Sequence, residues 1–306
     1  MKRRQFLAAS LAIYAARGAL GAGASSSRPA LRAGLQLYTV LDALEKDFEG
    51  TLRDVAAIGY REVETMGSFG RDPVYVNRIL DRYGLVSPSQ HAVSDALYDI
   101  VQLAARGLMP RSEARRKLAA AMTNGDVARS VERGISTAKA LGQRNVVLPA
   151  LWPEQMREEG ALAELTDALN RAGEKCAAAG LTFSIHNHGD ELLSVQGSTP
   201  YDTVVAATNP STVKLEMDVY WMIWAKKSPM DYLRRYPNRY TQMHLKDAKS
   251  DGTFAAMGAG TIDFAPILAA ARRSSVQHYY LEQNSPTDSI AAARESYECV
   301  ESKLLR

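Results

Sequence analysis

Four short apolar runs in this chain each end on a side chain that can bind a divalent metal. Thr182–Ile185 leads into His186, Asn187 and His188. Val213–Met217 leads into Asp218, Tyr240–Met243 into His244, and His278–Leu281 into Glu282. Imidazole and carboxylate donors in combination suit Zn, Mn, Co or Fe, with Mg admitted where carboxylates and substrate oxygens dominate. Each residue alone could equally cap a strand or pair with a neighbour. Four at equivalent places point to one shared site.

Such a site needs elements that bring distant residues together. Apolar runs of this length, separated by helix-like stretches, read as buried parallel strands. Strand candidates are Gly34–Tyr38, Glu62–Glu64, Leu85–His91, Asn145–Leu148, Thr182–His186, Val213–Asp218, Tyr240–His244 and Tyr279–Glu282. Helical patterns lie between them, several ending at Gly59, Gly84, Gly142 or Gly180, as helix C-termini commonly do. This alternation predicts a parallel α/β architecture, a (β/α)8 TIM barrel, with ligands collected at the C-terminal ends of the strands. No Gly-x-Gly-x-x-Gly follows a first strand, which weakens a dinucleotide-binding alternative. Residues Ser94–Asn124 exceed a minimal βα unit and are expected to form helices over the barrel mouth.

The N-terminus reads differently. Lys2-Arg3-Arg4-Gln5-Phe6-Leu7 is a twin-arginine pattern, followed by an apolar stretch and a small-x-small site at Ala22-Gly23-Ala24. Residues 1–24 are expected to be an export signal and 25–306 one barrel domain, acting in the periplasm or outside the cell. The apolar stretch is too short to span a membrane, and Arg17 interrupts it. The whole chain has 37 Lys+Arg against 34 Asp+Glu, or +3. Lys2, Arg3, Arg4 and Arg17 belong to the signal, leaving 33 against 34, or −1, for the mature chain. No basic stripe remains to bind nucleic acid. Arg111, Arg115, Arg116 and Lys117 read as a solvated helix face. Cys176 and Cys299 read as free thiols, and a homo-oligomer stays open.

Six phrases occur in order along the chain: Gly34-Leu35-Gln36-Leu37-Tyr38-Thr39-Val40, Gly59-Tyr60-Arg61-Glu62-Val63-Glu64, His186-Asn187-His188, Glu216-Met217-Asp218-Val219-Tyr220-Trp221, His244-Leu245-Lys246-Asp247 and Gly260-Thr261-Ile262-Asp263-Phe264. Together they resemble the sugar phosphate isomerase/epimerase family of xylose-isomerase-like TIM barrels. The resemblance implies a divalent metal held by His186, Asp218, His244 and Glu282. The chain has His186 where many members carry Glu, Trp221 where many carry His, and Ala259 where relatives often carry Glu. The first difference makes His188 a rival ligand, because residues two apart on a strand share a face.

The implied chemistry is proton removal from a carbon beside a carbonyl, with a metal stabilising the enediolate-type charge. Returning the proton gives isomerisation or epimerisation, the leading expectation. Loss of a β leaving group gives elimination, as in cleavage of a 3-keto-glycoside. A non-catalytic sugar-binding barrel is the third possibility. His188, Glu282 and Lys246 are candidates for proton transfer and charge stabilisation. His91, Glu64, Glu191 and Trp221 are candidates for substrate contact, each with a structural alternative. Trp221 and Trp224 could form a sugar-stacking wall or simply pack the core. His278 should lie at the barrel end remote from chemistry. The nearly neutral mature chain, without a glycine-rich phosphate cradle, favours neutral sugars or glycosides over sugar phosphates.

Overall fold

The computed structural model describes residues 33–304, apart from 153–154, 157–159, 195–196 and 285. The proposed signal therefore lies outside the described residues. Eight parallel strands close into a barrel: β1 (Ala33–Gln36), β2 (Glu62–Met66), β3 (Val86–His91), β4 (Asn145–Leu148), β5 (Thr182–His186), β6 (Val213–Asp218), β7 (Tyr240–Leu245) and β8 (His278–Leu281). Each strand pairs with its neighbours in sequence, and β1 closes on β8 through Gly34 opposite Tyr280. The expected first strand is shorter than Gly34–Tyr38. The Gln36 side chain accepts from the Tyr38 N–H and starts a 3-10 turn over Leu37–Val40.

Outward-facing strand residues such as Leu35, Val63, Ile185 and Leu215 are fully or almost fully buried beneath the surrounding helices. Those helices begin where capping side chains satisfy their free N–H groups. Asp47 accepts from Gly50 N at 2.9 Å, and Thr123 with Asp126 forms a capping box for Asn124–Leu141. No helix among the described residues is long and apolar enough to cross a membrane.

The lumen is unusual for its polarity. Barrel interiors are commonly filled with layers of branched apolar side chains. Here Glu64, Ser89, Glu216 and Gln242 are fully buried in the middle. The Gln242 Nε2 donates to Glu216 Oε1 at 2.7 Å and Ser89 Oγ at 2.9 Å, while Ser89 Oγ donates to Glu64 at 2.5 Å. A register slip at Leu215/Glu216 sets Glu216 opposite Gln242 and Asp218 opposite His244. Residues two apart share a strand face, and Glu216 also stands opposite His186 of β5, so both acids face the interior.

The surplus segment forms two helices, Asp95–Ala105 and Arg111–Ala121. Beyond β7, Asp247–Ala248 pairs antiparallel with Phe254–Ala255.

Candidate active site

At the C-terminal end of the barrel, two histidines are each gripped by carboxylates. His244 Nε2 lies 2.7 Å from Glu64 Oε2, and its Nδ1 lies 2.8 Å from Glu282 Oε2. His186 Nδ1 is 2.9 Å from Glu216 Oε2, which leaves its Nε2 3.7 Å from Asp218 Oδ2. A carboxylate on one ring nitrogen fixes the tautomer and aims the other nitrogen, the usual support for a metal-binding imidazole. His91 Nε2 joins the same Glu216 oxygen at 2.8 Å.

Lys246 is the one ammonium in this cluster. It is 1% exposed and stands 2.8 Å from Asp218 and 3.0 Å from Glu282. Burial pushes its pKa down, but these two carboxylates outweigh that and hold it above its ordinary value. Asp247, the alternative partner, is occupied elsewhere. Its carboxylate accepts from Gly258 N at 2.9 Å and Gly260 N at 3.1 Å, fixing the loop after the hairpin. A Cβ at Gly260 would lie 2.1 Å from that carboxylate, so the close approach requires glycine.

The donor set fits a divalent cation. Asp218, His244 and Glu282 present donor atoms within 4.8 Å of one another. Asp218 is buried, and its Oδ2 has the Lys246 ammonium at 2.8 Å and His186 Nε2 at 3.7 Å as close partners among the described residues. Four carboxylates (Glu64, Glu216, Asp218 and Glu282) face that single permanent cation, so histidines must otherwise carry the balance. Burial opposes charge on His244, yet Glu216, with hydrogen bonds to Glu282 and Glu64, holds it well above the usual histidine range. Burial takes His186 the other way, down to about 4. A second close group, His91, His186, Glu216 and His244, shares His244 with the first.

His188 stands apart from these grips. Its ring centre is 5.0 Å from that of His186 and 5.5 Å from that of Trp221, and its buried Nδ1 has no hydrogen-bond partner among the described residues. Burial, with His186 and Lys246 nearby, holds its pKa well below the usual value, so the imidazole is neutral. The following loop is held from two sides. Glu191 Oε1 accepts from the His188 N–H at 2.5 Å, and Trp224 packs on Gly189, where a Cβ would lie 2.4 Å from the ring.

Burial raises the Glu191 pKa to about 8. The unfolded chain releases this proton near the ordinary value of 4.5, so stability from this group is complete below that pH and declines as pH rises towards 8. The slope is up to about 1.4 kcal/mol per pH unit. Glu191→Gln keeps the acceptor oxygen and removes the proton. Thermal denaturation should show the variant gaining on the wild type between pH 5 and pH 8 by several degrees. A wild-type difference that does not change with pH would contradict this account.

A cavity of about 290 Å³ opens over the cluster. His91, His186, His188 and Glu282 form its polar end with Gln36 and Asn284. The other anticipated contacts reach it through neighbours: Glu64 through His91, Glu191 through the His188 backbone, and Trp221 through the His188 ring. Arg111, Arg115, Arg116 and Lys117 are exposed, as expected of a solvated helix face, and the first two also border the cavity. Arg115 also pairs with Asp190 and stands over Trp152. His278 binds Glu62 at 2.8 Å at the opposite end of the barrel, as expected. The residue missed by the sequence reading is Glu216, which touches His91 and His186. Its place two residues before Asp218 was the available signal.

The chain matches the model of the xylose isomerase-like TIM barrel family over residues 52–303. It belongs to that family. The fold agrees closely with a sugar phosphate isomerase/epimerase from Parabacteroides distasonis, at a TM-score of 0.72 and 20% identity, covering 93% of this chain and 98% of that one. Among curated relatives, an inosose dehydratase of Clostridium beijerinckii is 26% identical over 145 residues, covering 42% of this chain and 48% of that protein. One of Geobacillus kaustophilus is 28% identical over 143 residues, covering 38% and 46%. The chain thus spans about half the length of the curated relatives it matches. As in other barrels, family membership specifies the scaffold, while the chemistry rests on the side chains at the strand ends.

Proposed function

We propose that this protein is a divalent-metal-dependent enzyme that removes a proton from the carbon beside a carbonyl of a carbohydrate. The observation carrying this reading is the position of Glu282. It belongs both to the Asp218–His244–Glu282 donor group and to the wall of a cavity that also presents His188. A cation held by these donors, with His186 as the fourth, would supply Lewis-acid stabilisation of negative charge developing on the substrate oxygens.

The protein's own groups complete the reaction. Neutral His188 accepts the proton, a general-base role open to an imidazole that no hydrogen bond has already claimed. Glu191 and the Trp221–Trp224 pair hold that histidine in place from behind. Glu64 and Glu216 fix the orientations of His244 and His186. Lys246 adds permanent positive charge next to Glu282, favouring an anionic intermediate over the neutral substrate.

Return of the proton to carbon yields isomerisation or epimerisation. Departure of a group β to the new carbanion yields elimination instead, and the similarity to inosose dehydratases favours this second outcome. Incubation with keto-sugars and keto-glycosides in D2O, followed by mass spectrometry, distinguishes them. Elimination gives a product lighter by water or by an alcohol. Isomerisation keeps the composition and gains deuterium. Binding with neither change would support a non-catalytic sugar-binding barrel.

A further inference from the structure

We infer that the natural substrate carries an apolar, ring-sized group in addition to its carbohydrate part, and that the two helices over the barrel mouth form the subsite for it. This rests on the carbohydrate reading above and adds the chemistry of the substrate's second half.

The cavity has two unlike ends. Its floor is the polar group around His188 and Glu282. Its far side is largely apolar, with Leu97, Val101 and Ala104 from Asp95–Ala105, Leu118 from Arg111–Ala121 and Met122 beyond it, beside Arg111 and Arg115 of the second helix. Trp152 and Met66 extend this surface. Both helices come from the segment that exceeds a minimal βα unit, so the barrel itself does not require them. A free sugar presents hydroxyls in nearly every direction, and several would face this wall with no partner to replace water, a costly arrangement. A glycoside with an apolar aglycone matches both ends, its hydroxyls towards the histidines and its ring against Val101 and Leu118.

The aglycone sits on the leaving-group side of the sugar. In an elimination the electrons left by the abstracted proton form a double bond to the anomeric carbon, and the bond from that carbon to the glycosidic oxygen breaks. The oxygen departs with the aglycone and the electron pair, and a proton completes the released alcohol. An apolar subsite then binds the part of the substrate that leaves.

Calorimetric titration with matched phenyl and methyl pyranosides, including their 3-keto forms, tests the inference. The phenyl member should bind the wild-type protein on the order of tenfold or more tightly, from burial of one ring. Leu118→Gln and Val101→Asn should each narrow that ratio, and circular dichroism checks that both variants fold. Equal affinities within pairs would overturn the subsite while leaving the carbohydrate reading intact. A phenyl preference untouched by both variants would place the ring elsewhere and overturn the assignment to these helices. Tighter binding of a sugar phosphate than of either glycoside would give this end of the cavity to Arg111 and Arg115 instead. Binding of no pyranoside would overturn both readings.

Discussion

Asp218→Ala and Glu282→Ala should each abolish measurable turnover while leaving a folded barrel. Either change removes a donor from the only group combining β6, β7 and β8 among the described residues. It also halves the carboxylate surroundings of Lys246. Loss of Lewis-acid stabilisation is worth several kcal/mol, or on the order of 10³-fold or more in rate. The structural cost is smaller. Asp218 also caps the helix Val219–Trp224 through Trp221 N at 3.1 Å, and losing a cap costs about 1 kcal/mol. Steady-state kinetics with circular dichroism separates the two effects. Near-wild-type kcat in either variant would remove these carboxylates from the mechanism.

His188→Ala should behave differently. A positioned general base contributes roughly 10²–10⁴-fold, so kcat should fall by that range. The donor group itself is untouched, because His188 makes no hydrogen bond to Asp218, His244 or Glu282. His186→Ala instead removes the ring held by Glu216 with its Nε2 towards Asp218, and should weaken metal binding. Metal lost in His188→Ala and kept in His186→Ala would exchange the two roles.

The barrel was legible because buried parallel strands are short apolar runs with a polar residue at the active end. The ends of β5, β6 and β7 fall at or within one residue of the expected positions. Strand β1 was misjudged because Leu37 and Tyr38 continue the apolar pattern, while the turn is dictated by the Gln36 side chain. Glu216 escaped notice for a related reason. Inside an otherwise apolar run, the two-residue spacing to Asp218 says that the two acids share a face, but that this face lines the lumen is known only once the barrel closes. The same holds for Gln36 and Gln242, whose amides matter only through partners on other strands. Arg111 and Arg115 are exposed as expected, but their place beside the cavity was not legible, because the charge of a short helix does not say which cavity it later helps to enclose.

The most direct test of this account is equilibrium titration of the metal-stripped protein with Mn, Co or Zn, with elemental analysis of the loaded form. The account predicts one tightly held divalent ion per chain in the wild type, and loss of that binding when Asp218 and Glu282 are both replaced by alanine. Undiminished binding in the double variant, or no binding of any divalent ion by the wild type, would contradict it.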